Sequence, residues 1–185
     1  MTAPVGVVLA GGASRRMGRD KALLELAGET LAAAAARRLA AVVAEVVVAD
    51  RGRGLVPGFP SIADGPGRGP AAALLGAAAS RPGRPLLALA CDLPRIPAAL
   101  LQALAASATA DLVVPGWHGG LEPLCALWAP RALTALAVRV ERGLFALHPL
   151  AAEPGLAVRV VGAAELAAYG RPEEMFWNVN TPEDL

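Results

Sequence analysis

Short apolar runs, the first of them rich in β-branched residues, alternate along this chain with Ala- and Leu-rich segments of helical length. The runs at 5–10, 45–49 and 85–91 are almost free of polar residues, which is typical of strands buried on both faces of a parallel sheet. Helical segments at 30–41 and 70–80 separate them, and this order predicts βαβ units with right-handed crossovers. The sequence therefore predicts an α/β fold with three layers and a mostly parallel sheet.

The second part of the chain is less regular. A helix is predicted over 97–107, with further strands at 111–115, 121–128 and 156–161 and a short helix at 163–169. Because strands and helices no longer alternate cleanly after residue 115, we expect one or two antiparallel strands there. The chain of 185 residues has the size of one ordinary α/β domain.

Composition excludes several classes of function. Apolar residues make up 55% of the chain, charged residues 18%, and the formal net charge is +1, so we expect neither nucleic acid nor an anionic membrane as a partner. Every apolar stretch is interrupted well before 18 residues, and the first residues lack the basic region of a secretory signal. Cys91 and Cys125 are too few for a disulfide framework or a cysteine zinc site, and a reducing cytoplasm is the expected location.

Two residue types are rare. Sixteen of the seventeen basic residues are Arg, and Lys21 is the only Lys; the only asparagines are Asn178 and Asn180. In a chain that uses Arg so freely, we interpret a remaining Lys as a position where an ammonium group is required.

A glycine-rich loop follows the first predicted strand and ends at Lys21. Glycines allow backbone N–H groups to approach phosphate oxygens, Ser14 adds a donor, and Arg16 and Lys21 add positive charge. The loop has neither the spacing of a P-loop nor that of a dinucleotide fingerprint. A surface loop rich in Gly and Arg is the alternative.

Two aspartates are candidate ligand-binding residues. Asp92 stands at the carboxyl end of the strand at 85–91, where open α/β sheets bind ligands, and one carboxylate plus substrate phosphates is enough to hold Mg²⁺. Asp64 precedes a glycine- and proline-rich turn and a helix. For both residues, capping of the following turn is the alternative interpretation.

The segment 176–180 is predicted to be a strand that places Asn178 and Asn180 on one face, and Thr181 is predicted to cap a following helix. A capping motif with incidental asparagines is the alternative. His118 and His148 have no partner at metal-ligand spacing, so no zinc site is predicted.

Taken together, four segments resemble the molybdenum cofactor guanylyltransferases, within the nucleotide-diphospho-sugar-transferase-like nucleotidyltransferases. The segments are Leu9-Ala-Gly-Gly-x-Ser-x-Arg-Met-Gly-x-Asp-Lys21, Gly69-Pro70, Cys91-Asp92-x-Pro94 and Asn178-Val-Asn-Thr-Pro182. The resemblance implies a Mg²⁺-dependent enzyme that transfers GMP from GTP to the phosphate of molybdopterin and releases pyrophosphate. It also implies a Rossmann-like nucleotide-binding half at 1–115, an acceptor-binding half at 116–185, and transient contacts with other cofactor-biosynthesis proteins.

The resemblance also implies roles for individual residues. The implied catalytic residues are Lys21, Arg16 and Asp92, with Asp92 as the metal ligand. The implied nucleotide-binding residues are Leu9, Ala10, Gly11, Gly12, Ser14, Lys21, Asp64 and Asp92. The implied acceptor-binding residues are Arg142, Asn178 and Asn180.

Some positions depart from the family pattern. The usual Gly-Pro-Leu-Ala-Gly is Gly69-Pro70-Ala71-Ala72-Ala73 here, and Asp50 stands where the family often has Asn after the second strand. Gly11 favours the guanylyl branch over the cytidylyl branch, whose opening resembles Leu-Ala-Ala-Gly. The alternatives are a relative that uses CTP or another phosphorylated acceptor, and a nucleotide-binding module without catalysis.

Overall fold

The computed structural model describes residues 2–11, 20–107, 109–179 and 184. Its strands are β1 (Val5–Leu9), β2 (Glu25–Leu26), β3 (Glu29–Thr30), β4 (Val46–Ala49), β5 (Ser61–Ile62), β6 (Leu86–Ala90), β7 (Leu112–Trp117), β8 (Gly120–Leu121), β9 (Cys125–Trp128) and β10 (Val158–Val161). Its α-helices are α1 (Leu31–Ala40), α2 (Gly69–Ser80), α3 (Ala98–Ala106), α4 (Pro130–Glu141), α5 (Ala163–Leu166) and α6 (Pro172–Met175). Turns of 3₁₀ helix lie at Lys21–Leu23 and His148–Ala152.

One sheet runs through the molecule in the order β10-β7-β9-β6-β1-β4-β5, with β8 paired to β7, while β2 and β3 form a separate hairpin. Strand β1 is parallel to β4 and β6, β4 is parallel to β5, and β10 is parallel to β7. Strand β9 is antiparallel to both of its neighbours. The other six strands of this path therefore direct their carboxyl ends to the same edge of the sheet, and the predicted mostly parallel sheet with antiparallel strands after residue 115 is confirmed.

Helices cover both faces of the sheet. Helix α1 packs on β1 and β4 and contacts α3, whereas α2 packs on β1, β4 and β6 and contacts α4. Strands β1, β4, β6 and β9 are buried along their whole lengths, because side chains on both of their faces are covered. The predicted three-layer arrangement follows from this packing.

Local signals in the sequence account for the first helix. Thr30 caps α1 by accepting a 3.3 Å hydrogen bond from Ala33 N at its side-chain oxygen, and Arg37 and Arg38 occupy the last turn. In α2, Pro70 lies in the first turn, where its missing N–H leaves no helical hydrogen bond unmade.

Two predictions for the second part of the chain were wrong, and one helix was missed. The single strand predicted at 121–128 is interrupted by a turn, because Cys125 N donates to Glu122 O, so only β8 and β9 remain. The segment 176–179 is not a strand, and it follows the short helix α6. Helix α4 was not anticipated at all, although Pro130 in its first turn is a helix start signal. The predicted Thr181 cap lies outside the described residues.

The chain forms no helix with the length and apolar character needed to cross a bilayer, within the residues that the structure describes.

Candidate active site

A cleft opens at the sheet edge where the parallel strands end. Its lining comes from the end of β1, the 3₁₀ turn, the start of α2, the end of β6 and the turn before β9. The lining residues are Leu9, Ala10, Gly11, Asp20, Lys21, Ala22, Gly69, Pro70, Ala73, Ala90, Cys91, Asp92 and Leu124. Open α/β sheets bind ligands outside the carboxyl ends of their strands, so the position matches the predicted nucleotide site.

Lys21 and Asp92 face each other across this cleft. The Lys21 Nζ atom lies 3.8 Å from Asp92 Oδ2, and about a quarter of each side chain remains exposed. Burial raises the pKa of the Asp92 carboxyl, and the nearby Lys21 ammonium opposes that rise. A cation and a carboxylate thus stand at one point of the cleft, where a metal–polyphosphate ligand could meet both.

Asp64 lies beside Gly11, close to this cleft. Its Oδ2 atom accepts a 3.2 Å hydrogen bond from Arg51 Nε, whereas its Oδ1 atom is buried and has no hydrogen-bond partner among the described residues. A Cβ atom placed on Gly11 would lie 3.6 Å from Asp64 Oδ1 and 3.4 Å from Ala49 O. The missing side chain of Gly11 therefore leaves room for a methyl-sized group in contact with this buried oxygen.

Helix α2 fixes the backbone on both sides of Asp64. Gly65 N donates to Ala72 O at 2.8 Å, and a Cβ on Gly76 would lie 2.2 Å from Ala63 O. The helix can approach the 63–65 segment this closely only because position 76 has no side chain. The last glycine of the family's usual Gly-Pro-Leu-Ala-Gly is Ala73 here, and Gly76 makes the close contact.

The asparagine segment is anchored at the same edge. Val179 N donates a 3.0 Å hydrogen bond to Asp92 O, which brings the exposed Asn178 near the cleft. Asn180, Gly12, Ser14 and Arg16 lie outside the described residues, so their predicted roles remain predictions.

Arg142 lies beyond α4, at its C-terminal cap, and is exposed. It is not among the residues that line the cleft, although Val140 and Phe145 on either side of it approach Gly67, two residues before α2 begins. The structure therefore brings Lys21, Gly11 and Asp92 together, with Asp64 adjacent, and leaves Arg142 at a distance from them.

Sequence reasoning missed Glu122, which lies in the turn before β9. Its Oε1 atom accepts a 3.2 Å hydrogen bond from Trp117 Nε1, and the Trp117 ring stacks on Phe176 with centroids 5.9 Å apart. Burial raises the pKa of the Glu122 carboxyl, and the charge of Asp92 contributes to that rise. An isolated Glu before Pro123 carries no pattern from which this position could have been found.

The two cysteines are buried, and the two histidines lie in turns. Burial raises the pKa of both the Cys91 and Cys125 thiols to about 12, so these residues pack as small apolar groups. His118 is exposed in the turn between β7 and β8, and His148 begins a 3₁₀ turn. Within the described ranges no three or more His, Cys, Asp or Glu side chains form a group that could hold a metal ion.

The residues present fit a metal ion that is bound together with a polyphosphate. Mg²⁺ is commonly held by one or two carboxylates when substrate phosphates supply further oxygens. Asp92 offers such a carboxylate, which is partly exposed at the carboxyl end of β6 and has Lys21 beside it to neutralise phosphate charge.

A doubly wound sheet with this cleft defines a nucleotide-binding α/β protein. The chain belongs to the MobA-like NTP transferase domain family, whose model matches residues 6–152.

Two relatives and one solved structure show how far the similarity extends. A "Probable molybdenum cofactor guanylyltransferase" of Pelotomaculum thermopropionicum is 35% identical, over 100% of this chain and 91% of the relative. The molybdenum cofactor guanylyltransferase of Rhodobacter capsulatus is 36% identical, over 97% of this chain and 92% of the relative. The crystal structure of molybdopterin-guanine dinucleotide biosynthesis protein A from Archaeoglobus fulgidus is similar in fold, with a TM-score of 0.81 and 24% identity over 97% of this chain and 94% of that one.

Proposed function

We propose that this protein is a molybdenum cofactor guanylyltransferase, which transfers GMP from GTP to the terminal phosphate of molybdopterin. The observation that carries the proposal is the apposition of Lys21 Nζ and Asp92 Oδ2, 3.8 Å apart in a cleft where β1 and β6 end. The names of the full-length relatives supply the substrates. A cytoplasmic location and the absence of nucleic-acid and membrane partners belong to the same proposal.

In the proposed reaction, a phosphate oxygen of the acceptor attacks the α-phosphorus of GTP. A new P–O bond forms, the bond between the α-phosphorus and the bridging oxygen breaks, and pyrophosphate leaves. The attacking phosphate is already anionic at neutral pH, so the reaction needs no general base. Catalysis then consists of positioning the two substrates and neutralising charge.

Each residue has a defined part in this proposal. Lys21, with Arg16, neutralises the triphosphate, while Leu9, Ala10, Gly12 and Ser14 surround the nucleotide. Asp92 would hold Mg²⁺, which when bound withdraws charge from the phosphate oxygens. Asn178, Asn180 and Arg142 are proposed to bind the acceptor, within the half formed by residues 116–185.

Asp64 is proposed to recognise the guanine base. Guanine presents an amide-type N–H and an exocyclic amino group, and Asp64 Oδ1 is a buried acceptor without a partner among the described residues. Arg51 occupies the other carboxylate oxygen and so holds the side chain in one orientation. This oxygen can accept from one guanine donor, whereas the proposed preference for GTP over CTP rests on the resemblance of the Gly11 position to the guanylyl branch.

The test measures pyrophosphate release from a panel of four nucleoside triphosphates with molybdopterin as the acceptor. We expect release with GTP and Mg²⁺, and loss of most turnover in Asp92→Asn, because the substitution keeps the size of the side chain and removes its charge. Glu29→Gln removes a carboxylate that pairs with Arg37 on the protein surface and serves as the matched control. Wild-type turnover in Asp92→Asn would contradict the assignment of the metal ligand, and release with CTP instead of GTP would favour the cytidylyl alternative.

A further inference from the structure

The guanidinium group of Arg53 joins three separate parts of the chain near the cleft. Its Nε atom donates to Asp50 O at 2.7 Å, its Nη2 atom donates to Ala10 O at 3.2 Å, and its Nη1 atom pairs with the Asp20 carboxylate. Ala10 follows the end of β1, and Asp20 precedes the 3₁₀ turn that begins at Lys21. One side chain therefore bonds to both sides of the Gly-rich segment 11–19.

The base of this side chain is also fixed. Asp50 is completely buried, and its carboxylate accepts hydrogen bonds from Arg53 N at 3.2 Å, from Leu55 N at 2.7 Å and from the Ser61 hydroxyl. These bonds organise the loop after β4 from within. Asp50 is thus a structural residue of the loop that carries Arg53.

Asp20 connects Arg53 to the turn that carries Lys21. Its Oδ1 atom accepts a 3.1 Å hydrogen bond from Ala22 N and caps the 3₁₀ turn, while its Oδ2 atom pairs with the Arg53 guanidinium. Lys21 is the first residue of that turn, and its Nζ atom lies opposite Asp92. A displacement of Asp20 would therefore move Lys21 relative to Asp92.

We propose that Arg53 is a positioning residue, which holds Lys21 opposite Asp92 by joining Ala10 and Asp20 in one fixed arrangement. A planar guanidinium can donate in three directions at once, whereas the ammonium of Lys is a single point of charge. The role therefore requires Arg in particular. The consequence of this placement for catalysis rests on the proposed function, but the placement itself can be tested without any turnover.

The first test uses the fact that Lys21 is the only Lys of the chain. Reductive methylation with ¹³C-formaldehyde gives one lysine NMR signal besides that of the terminal amine. We expect Asp92→Asn to shift this signal in the otherwise unchanged protein, because the neighbouring charge disappears. In Arg53→Gln, the same Asp92→Asn change should shift the Lys21 signal less than half as far, because Lys21 and Asp92 are no longer held together.

A matched control and a second variant accompany this test. Arg37 donates to both carboxylate oxygens of Glu29 on the surface, so Arg37→Gln removes a similar ion pair away from the cleft and should leave the Lys21 response unchanged. Asp20→Asn keeps an oxygen to cap Ala22 N but loses the charge that Arg53 contacts, and it should weaken the response as Arg53→Gln does. If neither variant changes the response, or if Asp92→Asn fails to shift the Lys21 signal in the first place, the proposal is wrong.

The second test is kinetic. We expect Arg53→Lys and Arg53→Gln both to lower kcat/KM for GTP by about tenfold or more, the size of one lost charge-assisted hydrogen bond, with the KM of the acceptor unchanged. In a Lys21→Ala background, Arg53→Lys should have little further effect, because the two residues act through one contact. Full activity of Arg53→Lys would show that only its charge matters and would overturn the positioning role. Absence of turnover in the wild-type protein would count against the proposed function alone, because the NMR response does not depend on it.

Discussion

The backbone amide of Val179 donates a hydrogen bond of 3.0 Å to the carbonyl oxygen of Asp92. The carboxylate proposed to bind the metal and the asparagine segment proposed to bind the acceptor are thereby joined through the main chain. The two segments are in direct contact, although Asp92 and Val179 are 87 positions apart in sequence. The segment proposed to bind the acceptor thus lies next to the residue proposed to bind the metal.

Lys21→Arg should lower kcat/KM for GTP even though the charge is kept. An ammonium on a slim stem fits beside Gly11 and Gly69 in the cleft, whereas a planar guanidinium is larger and binds with a different geometry. Lys21→Ala should be worse, because a hydrogen bond to a charged group contributes about 1.5–3 kcal/mol. Steady-state kinetics of the three proteins, with thermal unfolding as the control for folding, decide the matter. Equal activity of Lys21→Arg and the wild type would show that charge alone is required.

Gly11→Ala should weaken the preference for GTP over CTP. The added methyl group would lie 3.6 Å from Asp64 Oδ1, which is ordinary van der Waals contact, so the fold is kept while the acceptor is covered. Loss of the proposed hydrogen bond between guanine and Asp64 Oδ1 should reduce kcat/KM for GTP by about tenfold to a hundredfold, with a smaller effect on CTP. The ratio of the two kcat/KM values is the measurement. An unchanged ratio would remove Asp64 from base recognition.

Asp92→Asn should stabilise the metal-free protein at neutral pH. Because burial raises the pKa of Asp92, the native state holds this proton more tightly than the unfolded state does. The wild-type protein therefore loses stability as the pH rises from the ordinary pKa of an aspartate through the raised pKa of Asp92, because the proton is released. The Asn variant has no such proton and does not lose stability in this way. The unfolding midpoints of the wild type and Asp92→Asn, measured in EDTA, should differ more at pH 7 than at pH 4. A constant difference across this range would mean that the carboxylate is well solvated.

Gly76→Ala should destabilise the fold and impair nucleotide binding together. The new Cβ would lie 2.2 Å from Ala63 O, so α2 or the segment that carries Asp64 must move. Overpacking of this kind costs about 1–3 kcal/mol, and urea unfolding measures it. Gly162→Ala is the matched control, because a Cβ there meets no atom within 4 Å and the residue has φ of −78°. Equal stability of the two variants would show that the helix has room to move.

The first half of the chain could be predicted from sequence because its elements have strong local signals. Continuous apolar runs predicted β1, β4 and β6, and the position of Asp92 at a strand end followed from the same pattern. Arg53 could not have been found in this way, because Arg is the default basic residue of the chain and the loop around it has no periodicity. The segment 176–179 was misassigned because its partner is a single carbonyl group, that of Asp92, and not a neighbouring strand.

The reversed direction of β9 has a consequence for how the two substrates bind. It separates the parallel group β6, β1, β4 and β5 from the pair β7 and β10, and both groups end at one edge of the sheet. With GTP at the ends of β1 and β6 and the acceptor on the side of residues 116–185, as proposed, both substrates can bind at the same time. We expect initial rates to give intersecting double-reciprocal lines, whereas a ping-pong enzyme gives parallel ones. The nucleotidyl group would then pass directly from donor to acceptor and would never be stored on a side chain.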